Sequence, residues 1–162
     1  EKYLVPKKGK THVLRVIREL LYTNPTNSKT SISQALDYLL KVAKRKCVVF
    51  LISDFLDKNY LPSLKVVNKK HDLIAIQITD PAELDFPNLG LLKVEDPETK
   101  ETFWIDTSSK KMMTSLRKNI ADKQFIFQKE MKKSGVDLIR ISTDEDFVDP
   151  LMSFFRLREK RI

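Results

Sequence analysis

The sequence predicts an α/β fold, a mostly parallel sheet with helices on both faces. Two observations carry this expectation. Helix-like and strand-like segments alternate along the chain, as in units where a helix joins successive parallel strands. The strand-like segments are also short continuous apolar runs, the pattern of strands covered on both sides. At 162 residues, 41% hydrophobic and 32% charged, the chain has the size and composition of one soluble domain.

Each element has a local reason. In residues 11–22, Val13, Val16, Ile17, Leu20 and Leu21 recur at helical spacing, and "TNPTNSK" ends that helix. In the next helix Ile32, Ala35, Leu36, Leu39, Leu40 and Ala43 make one apolar stripe. Ser31 and Gln34 stand at its start with capping-box spacing. "CVVFLI", residues 47–52, is a continuous apolar run rich in β-branched and aromatic residues and predicts a strand with both faces covered. A shorter helix over 61–70 and a second buried strand in "DLIAIQITD" follow.

The pattern then changes. Residues 91–95 and 102–105 flank the turn-forming "DPETK" and predict a small β-hairpin insertion. A long helix over 109–133 presents Met112, Leu116, Ile120, Phe127 and Met131 on one side, with Gly135 placed to end it. "VDLIRIST" is a third strand. The last helix begins acidic and ends basic, which suits the helix dipole.

Charge and cysteine content narrow the function classes. The net charge of +8 raises nucleic acid as a partner. Lys and Arg are nevertheless spread over every predicted helix, without interleaved aromatic residues to stack on bases, so a solvated basic surface is the preferred reading. No apolar run approaches the roughly 20 residues of a membrane span, and no signal peptide is visible. One cysteine excludes an internal disulfide, and a cytoplasmic location is expected. Cys47, inside an apolar run, is expected to be a buried and inert thiol.

Ligands of open parallel sheets sit beyond the carboxyl ends of the strands. Here the predicted strands end in Asp54, Asp80 and Asp144, with Asp57 close by and the hydroxyls of Ser53, Thr79, Ser142 and Thr143 adjacent. Such oxygen groups suit Mg²⁺ or Ca²⁺ rather than zinc. Each acid also has a structural reading. Asp144 and Glu145 are expected to cap the last helix, Asp80 to start a loop, and Asp54 either to start a turn or to face a cleft. Phosphate-binding glycine loops and the GxSxG nucleophile motif are absent, and a phosphoacceptor role for Asp54 lacks its acidic pair and lysine.

The runs "YLVPKKGKTHVLRVIRELL", "KTSISQALDYLLKVAKRKCVVFLISDFLD" and "HDLIAIQITDPAELDFPNLGLLKVEDPETKETFWIDT", with the closing "DLIRISTDEDFVDPLMSFFRLR", resemble the bacterial domain-of-unknown-function 58 family. That family resembles von Willebrand factor A domains, a doubly wound α/β fold. The resemblance implies a divalent ion at a metal-ion-dependent adhesion site, formed by a DxSxS motif, a later Thr and an Asp after the fourth strand. Thr30 matches that Thr and Asp54 that Asp, with Ser53, Asp57 and Asp80 as secondary candidates.

DxSxS does not occur, Lys29 stands where a Gly often precedes the Thr, and the chain begins with Glu1. The expectation is therefore a domain lacking its N-terminal strands, with the remaining metal ligands upstream and no tightly bound Mg²⁺ in this chain. The family's gene neighbourhood implies a MoxR-type AAA+ ATPase as partner and a non-enzymatic interaction role. The competing class is metal-assisted phosphoester hydrolysis by Asp54, Asp57 and Asp80. If upstream strands are absent, Val48, Phe50 and Ile52 lose their cover, and self-association as a two-fold dimer through this strand is expected.

Overall fold

The computed structural model describes residues 2–23, 30–84, 87–95 and 101–160. The chain divides into two compact units, Glu1–Thr30 and Ser31–Ile162.

The first unit contains α1 (Lys10–Tyr22), preceded by Gly9 at φ 102°, a conformation that glycine reaches without strain. Lys2 pairs with Glu19 and holds its carboxyl below the usual range. The expected apolar stripe exists as a helix face, yet no residue of α1 is buried. "TNPTNSK" lies outside the described residues except for its first residue, Thr23, whose N–H donates to Glu19 and closes the helix.

The second unit runs α2 (Ile32–Val42), β1 (Val48–Ser53), α3 (Leu61–Lys70), β2 (Asp72–Thr79), α4 (Pro81–Leu84), β3 (Leu91–Glu95), β4 (Thr102–Asp106), α5 (Lys110–Lys133), β5 (Asp137–Ser142) and α6 (Val148–Glu159). The strands β1, β2 and β5 form a parallel sheet in the order β1-β2-β5. β3 and β4 pair antiparallel as a separate two-stranded sheet, and the expected "DPETK" turn lies outside the described residues.

Side-chain alternation divides the core between the two faces of the parallel sheet. Leu73 and Ala75 of β2 point to one face, packed with Leu36, Leu64, Val67 and Met131 from α2, α3 and α5. Ile74 and Ile76 point to the other, joined by Ile139, Leu151 and Phe154 of β5 and α6. Ser31 caps α2 by accepting from Gln34 N–H, and Ser109 caps α5 by accepting from Met112 N–H. Gly135 ends α5 at φ 64°, with Val136 N–H returning to Met131 carbonyl at 3.1 Å.

Three expectations are corrected. β1 is not covered on both faces: its burial alternates, because it has one strand neighbour in the sheet and α6 packs over β2 and β5 instead. Cys47 is exposed, since it precedes the strand at the edge rather than lying within it. On α5 the buried methionine of the first turn is Met113, while Met112 is 44% exposed. The inward line passes through Met113, Leu116, Ile120, Phe127 and Met131, at helical spacing, and Met112 falls about 75° off its mean direction.

Candidate functional site

Parallel pairing sends the carboxyl ends of β1, β2 and β5 to one edge of the sheet. Thr79 is level with Ser142, whereas Ser53 is level with Gln77. β1 thus stops two residues short of β2, and Asp54 falls back from Asp80 by roughly 7 Å along the strand direction.

The aspartates at this edge are bonded to the chain's own backbone or hydroxyls. Asp54, exposed, accepts from Leu56 N–H at 3.1 Å and from Ser53 hydroxyl at 3.3 Å, while Ser53 Oγ accepts from Phe55 N–H at 3.1 Å. This double turn holds Phe55 at φ 60°, which is costly for a bulky residue. Burial of the Phe55 ring offsets that cost: it lies 5.0 Å from Phe127 and 5.8 Å from Tyr60. Of the two roles open to Asp54 from sequence, the turn is the one its hydrogen bonds display.

Asp57 reaches across to α2. Its Oδ2 accepts from Ile32 N–H at 2.7 Å, and its Oδ1 from Lys58 N–H at 2.6 Å. The first bond satisfies an orphan donor at the helix start, next to the one that Ser31 satisfies. Tyr60 sits nearby. Burial, and secondarily the charge of Asp57, pushes its phenol up to about 12.

Asp80 accepts from Ala82 N–H at 2.8 Å and starts the short α4. The role expected of Asp144 and Glu145 is taken by Asp146, which accepts from Val148 N–H at 2.8 Å at the start of α6, while Asp144 accepts from the Ser142 hydroxyl. Thr30 is exposed and closes the first unit, whereas Ser53, Asp54, Asp57 and Asp80 belong to the second. Among the described residues, no three His, Cys, Asp or Glu side chains gather to hold a metal ion. A groove of about 430 Å³ along α5 is lined by Ser109, Lys111, Met112, Ser115, Leu116 and Asn119, and none of these is an acid.

Two juxtapositions escape sequence reasoning, both at the amino end of the sheet. His71, 2% exposed, has Nδ1 at 3.4 Å from Cys47 Sγ, and its buried Nε2 has no hydrogen-bond partner among the described residues. Arg158 of α6 donates to Asp72 at 2.5 Å, lies 3.8 Å from Asp137, and covers the Phe154 ring at 5.8 Å. The Asp72 hydrogen bond holds the guanidinium above its ordinary value. Both follow from the β1–β2–β5 register and the return of α6, and no sequence spacing announces them.

Comparison with known proteins places these features in a family. The profile described as "Protein of unknown function DUF58" matches residues 1–125. Among curated proteins, the chain is 24% identical over 162 residues to Uncharacterized protein MAV169 of Mycobacterium avium, covering 96% of this chain and 94% of that one. It is 22% identical over 157 residues to Uncharacterized protein Mb1516 of Mycobacterium bovis and to Uncharacterized protein Rv1480 of Mycobacterium tuberculosis. The aligned region covers 94% of this chain and 49% of each of those two, about half their length. No solved structure matches. With the profile extending from the first helix into α5, the chain belongs to the DUF58 family.

Proposed function

We propose that the chain is a non-enzymatic protein-interaction module of a von Willebrand factor A-like domain, acting in the intact protein beside a MoxR-type AAA+ ATPase. One observation carries the non-enzymatic part. The strand-end carboxylates that a hydrolase would use are committed to backbone N–H groups, Asp54 at Leu56, Asp57 at Ile32 and Asp80 at Ala82. A carboxylate that accepts backbone bonds is fixed in place by them, which suits a scaffold better than proton transfer. The parallel sheet with helices on both faces supports the von Willebrand-like part.

Ser53 and Asp54 alone fall short of the octahedral oxygen shell that Mg²⁺ demands, so the residues present here do not fit the ion by themselves.

The purified chain titrated against a purified MoxR-type ATPase should show saturable binding. With Mg²⁺ and p-nitrophenyl phosphate it should show no turnover that depends on its acids. Turnover that disappears in folded Asp54→Asn or Asp80→Asn would overturn the reading in favour of a metal-assisted phosphoester hydrolase.

A further inference from the structure

We infer that the amino edge of the parallel sheet docks an acidic segment of a partner protein, an inference that rests on the interaction-module reading. The helices of the second unit that flank this sheet run back against the strands, so α2, α3, α5 and α6 end where β1, β2 and β5 begin. Asp57 holds the start of α2 at the far edge, while Lys70 donates to Leu40 carbonyl near its end. Arg158 likewise ties the end of α6 to Asp72, the first residue of β2. The last turns that gather here are all basic: Lys41 in α2, Lys69 and Lys70 in α3, Lys132 and Lys133 in α5, Arg156 and Arg158 in α6.

The helix dipole accounts for those cations one helix at a time, but not for the loop that joins α2 to β1. Lys44, Arg45 and Lys46 lie past the Ala43 cap and are exposed. Val48 is level with Asp72, so Lys46 stands level with Lys70 ahead of the paired strands. Like charges at neighbouring strand starts repel one another and cost stability. Among the described residues the acids of this edge are engaged elsewhere, Asp72 and Asp137 with Arg158 and Glu130 with Lys133. The far edge is the reverse. The segments leaving β1, β2 and β5 carry Asp54, Asp57, Asp80, Glu83 and the acids of 144–146, with Lys58 their one cation among the described residues. The second unit is thus electrically polar along its strands, and an anionic partner relieves the repulsion at the basic end.

Chemistry at this edge favours carboxylates over phosphates. Phosphate sites use the N–H groups of helix N-termini, and the helices that meet here present their C-terminal carbonyls. Arg158, whose planar fork would suit a phosphate, is committed to Asp72. The exposed cations are mostly lysines, hydrated point charges on long stems that reach scattered carboxylates. A strand added beside β1 would extend this edge sideways without capping it, because Lys44, Arg45 and Lys46 lie ahead of the strand start.

A fluorescein-labelled poly-glutamate peptide, followed by anisotropy, should bind the chain saturably and more weakly as salt rises. Lys44→Glu, Lys46→Glu and Lys69→Glu together should lower that affinity by at least about tenfold. Lys58→Glu, Lys118→Glu and Lys123→Glu change the net charge equally, at the far edge and along α5, and should lower it by less than about threefold. Position has its own readout. A photo-cross-linker on Cys47, exposed at the basic edge and the chain's one cysteine, should capture the peptide. The same group on Glu145→Cys in a Cys47→Ser background should not.

Circular dichroism of every variant separates misfolding from lost binding, and if the edge variant is unfolded the cross-link decides. Equal losses in the two triple variants, or capture from Glu145→Cys as efficient as from Cys47, overturn the surface. A DNA duplex that binds more tightly than the peptide at equal salt, and is lost in the edge variant, overturns the acidic-protein assignment in favour of nucleic acid. An edge variant that holds peptide and MoxR-type ATPase as wild type does removes this surface and leaves the interaction-module reading standing. Peptide binding lost in the edge variant, with no ATPase bound by wild type, keeps the surface and removes the ATPase.

Discussion

Replacing Asp57 by alanine separates a structural acid from a catalytic one. In the structure Asp57 Oδ2 accepts from Ile32 N–H at 2.7 Å, and Ile32 is 3% exposed, so water does not readily replace the lost acceptor. Loss of a side-chain cap costs about 1 kcal/mol, and loss of a carboxylate from a helix N-terminus about 0.5 kcal/mol. An N–H left poorly solvated adds about 0.5–1 kcal/mol, for a sum of about 2 kcal/mol. In a chain of this size that lowers the melting midpoint by about 4–8 °C. Thermal and urea unfolding followed by circular dichroism measure it, and the urea slope should not change. Asp54→Ala removes an acceptor at an exposed turn and should cost within about 1 kcal/mol. If Asp57→Ala melts within 1 °C of wild type, Asp57 is not a cap and the reasoning is refuted.

Other expectations are independent of that one. Tyr60 has its pKa raised from 10.0 to about 12, so its contribution to stability is complete below pH 10 and is lost as pH rises through about 12. Tyr60→Phe should flatten the stability profile in that window, and tyrosinate absorbance should show the phenol titrating earlier in Asp57→Ala, though still above its ordinary value because burial remains. Leu64, 0% exposed between α3 and the sheet, should cost about 2–5 kcal/mol as alanine, read from the urea midpoint. Gly135→Ala should cost about 1 kcal/mol in the same assay. At φ 64° the penalty there is the backbone's, since a Cβ would meet nothing closer than Asn68 Nδ2 at 3.7 Å.

Local chemistry was legible from the sequence alone. The boundaries of α3, the Ser31–Gln34 start of α2 and the Gly135 stop all depend on residues within one or two turns of one another. Asp80 also bonds locally, two residues away, but it opens the short α4 where the sequence led us to expect a loop. Alternation of helix and strand was enough for a parallel sheet with helices on both faces, because short chains between parallel strands leave few other arrangements.

The remainder belongs to contacts between distant segments. An apolar run reads the same whether it is central or at an edge. Only the order β1-β2-β5 and the path of α6 decided that β1 carries one open face. Asp57 meets Ile32 across 25 residues, Cys47 meets His71 across 24, and Arg158 meets Asp72 across 86. Periodicity reports which side of an element is apolar. It carries no information about which neighbour covers that side, because strand order and register are settled by pairing energies summed over the whole sheet.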